Sequence, residues 1–401
     1  MDGTVPAPFP ADGTVPGTRL TTNSLTVLPG LHSWRKMIRS PDVILTAVAE
    51  RFDLQIERST PAGGGFSGAE VFRVVATEGR EFAFRKTPWT VALSEERLRA
   101  LHGLLAAAHR TGMVEIPVPH RHGPRPIGEP VEERPLLIRN TMPANDPWIR
   151  FGTDLWQVEP WMPGTSVRGG EISQKQVHSS LERLHAFHAA AADYVSHGNQ
   201  SVWFRNSQEP SPAILRRQKI TEELLKGGME ILHHQAAADP DSSFRRIAAG
   251  VFNELDARLQ WLHQQLTLLA DQTFTIQPVM RDVWRAHVLF TDDRVTGLID
   301  LSAAASDHVT VDVVRLLRSW FAADNARILQ AIARFESSKC FNESERRLLR
   351  ALDASSVLLS PVTWIKRRTG VDEPGSCSPE MLARFEEVAS IAQAFEPLPS
   401  A

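Results

Sequence analysis

The sequence predicts an α+β fold with two lobes, a small β-rich N-terminal lobe and a larger, mostly helical C-terminal lobe. Three observations predict this fold class. Short runs of Val, Phe and Ile alternate with turn residues over about residues 54–88, which is typical of strands. From about residue 173 onward, apolar residues recur at helical spacing in one segment after another. Residues 277–300 interrupt these helices with two short β-type runs.

We divide the chain into residues 1–32, 33–160 and 161–401. The first segment is rich in Pro, Gly and Thr and contains DGTVP twice. Because this composition cannot build a core, we expect the segment to be disordered. Residues 33–160 form the N-lobe with a glycine-rich loop, and residues 161–401 form the helical C-lobe with its hairpin.

The N-lobe elements follow from local patterns. PDVILTAVAERFDL, from Pro41, has helical periodicity and a cap at Asp42 or Ser40. The strands VFRVV and FAFRK are joined by the turn Thr77-Glu78-Gly79. Residues 93–107 form an amphipathic helix, and residues 155–164 form a strand that runs into a turn.

The C-lobe is predicted to consist of helices around one hairpin. In that hairpin HVLF and VTGLI are joined by the turn Thr291 to Arg294. The predicted helices cover residues 173–195, 211–236, 243–270, 309–335, 343–360 and about 379–395.

Composition excludes several classes of protein. The net charge of −3 shows none of the basic excess of a nucleic-acid-binding protein. No uninterrupted apolar run approaches the roughly 20 residues that span a bilayer, and the N-terminus lacks a secretory pattern. Cys340 and Cys377 form no CxxC pair, so we expect free thiols and a cytoplasmic location.

The segment Gly63-Gly64-Gly65-Phe66-Ser67-Gly68 matches GxGxxG. In an NAD-dependent oxidoreductase, a helix would follow this motif directly. Here EVFRVVAT follows, which is typical of a strand, and a glycine loop between two strands covers ATP phosphates with its backbone N–H groups. A flexible turn is the alternative.

Phe82-Ala83-Phe84-Arg85 supplies a candidate cation. In a strand, Ala83 and Arg85 share one face, so a small residue beside a cation would suit a nucleotide site. Lys86, on the opposite face, is the alternative. A carboxylate should orient this cation, and Glu95 or Glu96 on the next helix are the candidates.

Asp282 and Asp300 are the most informative pair. They are 18 positions apart and flank the predicted hairpin. Because a hairpin brings its two ends together, we expect both carboxylates at one place. One carboxylate would accept a proton from a substrate hydroxyl, and the other would hold Mg²⁺ on ATP phosphates.

With these residues, the chain resembles the aminoglycoside phosphotransferase and choline kinase-like superfamily. The family pattern is HGDxxxxN, a hairpin, an I-D-F element and a further Asp before a helix. The corresponding segments here are MRDVWRAH, LFTDDRVTGLID and SDHVTVDVVRLLRSW, and WQVEPWMPG and LERLHAFHAA also resemble family segments. The resemblance covers roughly residues 40–395 and implies a protein-kinase-like fold.

The resemblance implies ATP-dependent phosphoryl transfer to a hydroxyl of a small molecule. It implies that Asp282 is the catalytic base and that Asp300 is a metal ligand. It matches Gly63 to Gly68 with the phosphate cover, Arg85 with the phosphate-contacting cation, and the segment from Glu159 through Trp161 to Met162 with the adenine-contacting hinge. It also implies that Asp312 braces the catalytic loop.

Several positions depart from the family pattern. His287 replaces the Asn that serves as second metal ligand, Met280-Arg281 replaces His-Gly, and Arg85 replaces Lys. Mg²⁺ prefers oxygen ligands, whereas Mn²⁺ would tolerate the imidazole of His287 better. The alternative function is therefore a nucleotide-binding or scaffolding pseudokinase. The sequence identifies neither the acceptor nor the oligomeric state.

Overall fold

The structure, a computed structural model, describes residues 41–64, 69–89, 93–121, 146–338, 340–370 and 379–399. The chain divides into two compact units, Met1–Ala47 and Val48–Ala401. Of the first unit, the structure describes only the beginning of helix α1 (Pro41–Arg51). The expected disorder of residues 1–32 lies outside the described residues. Everything that follows concerns the second unit.

A five-stranded antiparallel sheet forms the small lobe, in the order β1-β2-β3-β5-β4. Its strands are β1 (Ile56–Gly64), β2 (Glu70–Ala76), β3 (Glu81–Pro88), β4 (Trp148–Phe151) and β5 (Asp154–Pro160). Alternating residues such as Phe82 and Phe84 on β3 are buried, as the period of two requires.

Helix α2 (Glu95–Arg110) follows β3, and the Ser94 side chain caps it by accepting from the Arg97 N–H. The predicted apolar stripe of this helix is buried, and it includes Leu98, Leu101 and Leu105. The helix thereby takes a fixed rotation about its axis.

The large lobe is mostly helical. Its helices are α3 (Gln174–Ser196), α4 (Pro212–Glu223), α5 (Met229–Ala237), α6 (Ser242–Ala270), α7 (Thr310–Phe321), α8 (Asn325–Glu336), α9 (Glu343–Thr369) and α10 (Pro379–Gln393). Reciprocal side-chain caps define two of the starts, Ser173 with Gln176 at α3 and Asn342 with Glu345 at α9.

Two small sheets interrupt these helices. One is a three-stranded sheet, and the other is the predicted hairpin. The strands are β6 (Ser207–Glu209), β7 (Phe274–Val279), β8 (Val288–Thr291), β9 (Arg294–Leu298) and β10 (Ala305–Asp307). Strand β7 lies between β6 and β10, and the sequence did not predict this three-stranded sheet.

Three helix predictions were wrong in extent. Residues 211–236 form α4 and α5 on either side of a break, where Gly227 has φ of +105°. Residues 309–335 form two helices instead of one, because Ala322 has φ of +50° and the Asp324 side chain caps α8. The helix predicted to end at residue 360 continues through Pro361 to Thr369. Pro361 is buried, so packing maintains α9 beyond a residue that usually ends a helix. By length and hydropathy α9 would span a membrane, but 78% of that apolar stretch is buried in the protein.

The segment after β5 is fixed directly to the hairpin. Thr165 and Phe290 exchange backbone hydrogen bonds, with N···O distances of 3.0 and 2.9 Å. Gly164 makes this approach possible, because its φ is +99° and a Cβ there would lie 2.6 Å from the Phe290 carbonyl oxygen.

Candidate functional site

The hairpin brings Asp282 and Asp300 together. Strands β8 and β9 pair from Val288 with Leu298 to Thr291 with Arg294, and the Ile299 N–H donates to the His287 carbonyl at 3.0 Å. Both carboxylates line one cavity of about 560 Å³. This is the arrangement that the hairpin pattern in the sequence predicts.

Asp312 braces the loop that carries Asp282. Its carboxylate is fully buried and accepts from the Met280 N–H at 2.8 Å and from the Arg281 N–H at 2.6 Å. His188 lies 2.9 Å from the same carboxylate through Nε2. These bonds hold Arg281 at φ of +65°, a left-handed conformation that a side-chain-bearing residue rarely adopts. The loop is therefore held in one conformation immediately before Asp282.

Arg315, on α7, donates from Nη2 to the Asp282 Oδ1. Both side chains are about two-fifths exposed, at 39% and 41%. The sequence patterns did not predict this ion pair. The helical spacing offered one signal, because Arg315 lies three positions after Asp312 and so shares its side of the helix.

Asp300 belongs to the large lobe and contacts the small lobe through Arg85. It adopts φ of +58°, and its Oδ1 accepts from Arg85 Nη2 at 2.9 Å and from Ser302 Oγ at 3.0 Å. Burial alone would favour the neutral acid, but Arg85 and the hydrogen bonds hold the pKa of Asp300 below its usual range. Asp300 is therefore a carboxylate at neutral pH.

Arg85, and not Lys86, is the cation that faces this site. Burial acts to lower the pKa of Arg85, but Asp300 and Glu159 raise the pKa overall. Lys86 points to the other face of the sheet, where its Nζ lies 2.7 Å from Glu70 Oε1. Arg85 therefore lies on the face of β3 that meets Asp300, and Lys86 lies on the opposite face.

Glu96 does not orient Arg85, and that expectation was wrong. Glu96 is exposed, and within the described residues the carboxylate that pairs with Arg85 is Asp300. Glu95 pairs with Arg99 at 3.3 Å. The rotation of α2 instead directs Arg97 inward, where its Nη2 donates to the Ser302 carbonyl at 3.3 Å.

His287 uses both of its ring nitrogens in hydrogen bonds. Trp284 Nε1 donates to Nε2 at 2.8 Å, and Nδ1 lies 2.8 Å from the Asp282 carbonyl. An indole N–H only donates and a carbonyl only accepts, so the ring is neutral with its proton on Nδ1. Burial, the largest influence, also lowers the pKa of His287. Because neither nitrogen has a free lone pair, the metal role suggested for His287 is not supported by this geometry.

The residues predicted to form the adenine-contacting hinge, Glu159 and Trp161, have different surroundings in the structure. Glu159 lines a smaller cavity of about 140 Å³ together with Arg85 and Asp300. Burial raises the pKa of Glu159. Trp161 is not among the described residues that line either cavity. Its backbone N–H donates to the Glu81 carbonyl, and the Arg73 guanidinium lies 5.1 Å over its ring.

The glycine motif joins two antiparallel strands. Gly63 and Gly64 end β1, Gly64 pairs with Glu70, and β2 begins at Glu70. The predicted phosphate contacts of Gly65, Ser67 and Gly68 lie outside the described residues. A strand therefore follows the motif, which contradicts the dinucleotide-binding alternative, since that alternative requires a helix.

Two cavities meet at Asp300 and Ser302, the described residues that line both of them. The smaller cavity carries Arg85 and Glu159, and the larger one carries Asp282 and Arg315. A group bound beside Asp300 would thus face a second molecule bound beside Asp282, which is the arrangement that transfer between two ligands requires.

Asp300 fits a divalent cation as an oxygen ligand, because its Oδ2 accepts no hydrogen bond from the described residues. His287 Nε2 lies 3.6 Å from this Oδ2. Within the described ranges, no three His, Cys, Asp or Glu side chains cluster in a way that would hold a metal without further ligands. A metal here would take its remaining ligands from water or phosphate oxygens.

Comparison with known families gives one extensive match. The sequence model of a family described as "Phosphotransferase enzyme family" matches residues 59–349, which is more than half of the chain. The match includes Arg85, Asp282, Asp300 and Asp312. No curated protein gives a significant match.

Solved structures show the same fold. Spectinomycin phosphotransferase, in complex with ADP and spectinomycin, has a TM-score of 0.57 at 10% identity, covering 88% of this chain and 98% of that chain. Amicoumacin kinase, in complex with AMP-PNP and Ca²⁺, has a TM-score of 0.56 at 11% identity, covering 92% and 97%. An aminoglycoside phosphotransferase from Alicyclobacillus acidocaldarius has a TM-score of 0.54 at 16% identity, covering 87% and 93%. These similarities confirm the two-lobed, kinase-like fold.

Proposed function

Because the chain belongs to the phosphotransferase enzyme family, we propose that it transfers the γ-phosphoryl group of ATP to a hydroxyl of a small molecule. One observation carries this proposal. Asp282 and Asp300 line the same cavity, and Asp300 also lines the cavity that contains Arg85 and Glu159. A phosphate donor and a hydroxyl acceptor would meet at these two carboxylates.

In this reaction the acceptor oxygen forms a bond to the γ-phosphorus, and the bond from phosphorus to the β,γ-bridging oxygen breaks. ADP leaves with that electron pair. Asp282 orients the acceptor hydroxyl and receives its proton, which then passes to solvent. Arg85 and the glycine motif would hold the phosphates, because phosphoryl transfer depends on positioning and charge neutralisation.

Asp300 is the residue that would hold the divalent cation, Mg²⁺ or Mn²⁺. Bound there, the metal would neutralise phosphate charge. The ion pair between Arg85 and Oδ1 of Asp300 keeps that carboxylate ionised and oriented. Oδ2 takes no part in this bond and would remain for the metal. Glu159 lines the smaller cavity together with Arg85 and would border the adenine.

Nucleotide binding and turnover test this function together. We expect ATP with Mg²⁺ to raise the melting temperature of the purified protein, and Asp300→Ala to remove that response. In an assay of ADP release over hydroxylated small molecules, Asp282→Ala should abolish acceptor-dependent turnover. Asp256→Asn is the matched control, because Asp256 is exposed on α6 and outside both cavities. If ATP does not raise the melting temperature of the wild-type protein with either Mg²⁺ or Mn²⁺, the protein is instead a scaffolding pseudokinase.

We also propose a cytoplasmic location. Cys340 is exposed and forms no disulfide, which suits a reducing compartment. Fractionation of the source cells tests this, and recovery of the protein outside the cytoplasmic fraction would contradict it.

A further inference from the structure

The larger cavity carries an unusual distribution of charge. Asp282 and Asp300 are the carboxylates among its described lining residues. The arginines on the same lining are Arg216, Arg217, Arg315, Arg318, Arg367 and Arg384. A site that takes a cationic molecule would show the opposite balance, because like charges that face each other across a cavity repel.

Some of these arginines are neutralised by carboxylates within salt-bridge distance. Arg315 pairs with Asp282, and Arg318 pairs with the buried Asp353 at 2.6 Å. Arg384 shares Glu387 with a second arginine, Arg285. Even this last group therefore keeps an excess of positive charge.

Three arginines of the lining have no salt bridge to any described carboxylate. Arg216 and Arg217 lie next to each other on α4, and Arg367 lies near the end of α9. Arg217 uses Nη1 to donate to the Leu352 carbonyl at 2.8 Å and to Ser355 Oγ at 2.9 Å.

The electrostatics of Arg217 show that its charge is under-compensated. Burial, followed by repulsion from Arg216, lowers the pKa of Arg217 to about 9. Arg315 and Arg281 lower the pKa further, whereas Asp307 acts in the opposite direction. The guanidinium stays protonated at neutral pH, so an incoming anion would relieve this repulsion.

The rest of the wall is suited to an organic molecule. Ser360 and Thr363 lie one turn apart on α9 and present hydroxyl groups, whereas Ile220, Trp364 and Ile391 present apolar surface. About 560 Å³ is within the range of cavities that bind drug-sized molecules. The triphosphate of ATP is assigned elsewhere, because Arg85 lines the smaller cavity, as does Ala69, which follows the glycine motif in the sequence.

We infer that the acceptor is a hydroxylated organic anion, which bears a carboxylate or a phosphate ester that Arg216, Arg217 and Arg367 bind. Guanidinium groups pair with both anions through two parallel hydrogen bonds, which explains why arginine is the repeated residue. An amino sugar with several ammonium groups would be repelled by the same wall. This inference rests on the proposed function, since it names the acceptor class for that site.

The test uses four six-carbon polyhydroxy compounds that differ in charge. Binding of glucose 6-phosphate, gluconate, glucose and glucosamine is measured calorimetrically on the full chain, with AMP-PNP and Mg²⁺ already saturating the nucleotide site. We expect at least one anion to bind at least tenfold more tightly than glucose and glucosamine. The comparison of glucose 6-phosphate with gluconate distinguishes a phosphate ester from a carboxylate.

Variants connect that preference to the arginines. Arg216→Ala and Arg367→Ala should each weaken anion binding at least tenfold, whereas Arg217→Lys should retain part of it. Lys219→Ala on α4 and Arg347→Ala on α9 are the matched controls, because both residues are exposed and outside the cavity. Arg216 and Arg367 are exposed, so Arg216→Ala and Arg367→Ala keep the test valid if Arg217→Lys fails to fold.

The outcomes separate the two proposals. If AMP-PNP binds but neither anion binds more tightly than glucose and glucosamine, the inference is overturned and phosphotransfer survives. If anion binding is unchanged in Arg216→Ala and Arg367→Ala, the assigned arginines are wrong. If AMP-PNP does not bind at all, the proposed function itself fails.

Discussion

Arg315 donates a hydrogen bond to the carboxylate that would receive the acceptor proton, that of Asp282. The arginine therefore fixes the direction in which this carboxylate points. Under the proposed function, this ion pair would align Asp282 with the acceptor hydroxyl.

Substitution of Arg315 tests that assignment. We expect Arg315→Ala to lower kcat about 100-fold, because a small displacement of the reacting group costs that much. Arg315→Lys should recover part of the rate, since the charge returns without the planar geometry. The measurement is kcat and KM for the acceptor, with Arg347→Ala as control. A rise in KM with unchanged kcat would show that Arg315 only binds the acceptor.

The second prediction concerns the metal. Since both His287 nitrogens are already bonded, His287→Leu should lower turnover without changing the Mg²⁺ concentration that gives half-maximal activity. Asp300→Asn should raise that concentration more than tenfold, because it removes the ligand charge. Metal titrations of the two variants check this. If the Mg²⁺ concentration for half-maximal activity rises equally in both variants, the hydrogen bond from Trp284 to His287 must break and the imidazole does bind metal.

Local patterns were sufficient to predict the meeting of Asp282 and Asp300, because a short turn between β-type runs determines where both ends lie. Strand alternation likewise separated Arg85 from Lys86, but only the packing of the small lobe shows which face meets Asp300. Helical spacing could have excluded Glu96 as the partner of Arg85. Arg97 lies on the same side of α2 as the buried Leu101, four positions later, whereas Glu96 is exposed.

The cluster of Arg216, Arg217 and Arg367 in the larger cavity could not be predicted from the sequence. Arg216 and Arg367 lie on different helices about 150 positions apart, and no local periodicity connects them. Strands β6 and β10 were missed for a related reason: each has three residues, and each exists because it pairs with β7. Such elements depend on their partners more than on their own composition.

Asp312 supports a prediction about stability. Asp312→Ala would leave the Met280 and Arg281 N–H groups unpaired in the interior, so we expect a loss of about 3 kcal/mol in the free energy of unfolding. Asp312→Asn keeps the shape but points an N–H₂ group toward donors, so it should also be destabilising. Urea denaturation measures both, with Asp256→Asn as control at under about 0.5 kcal/mol. A similarly small effect for Asp312→Ala would show that the loop needs no brace.

The last prediction concerns acid stability and His102, a buried residue on α2. Its Nε2 lies 2.8 Å from Gln157 Nε2, so the ring accepts a hydrogen bond from the amide and is neutral. Burial, followed by repulsion from Arg121, lowers the pKa of His102 to about 4. In the unfolded chain the pKa of a histidine is about 6.5, so the unfolded state takes up its proton first as the pH falls.

His102 therefore contributes stability that is complete above about pH 6.5 and is lost progressively as the pH falls toward about 4. The loss should reach about 3 kcal/mol, at roughly 1.4 kcal/mol for each unit of difference in pKa. His102→Gln keeps an acceptor for Gln157 but does not titrate, so the free energy of unfolding should fall less steeply over this interval. His109→Gln is the control, since His109 is exposed near the end of the same helix. If wild type and His102→Gln lose stability in parallel between pH 6.5 and 4, the imidazole is not what makes the folded state acid-sensitive.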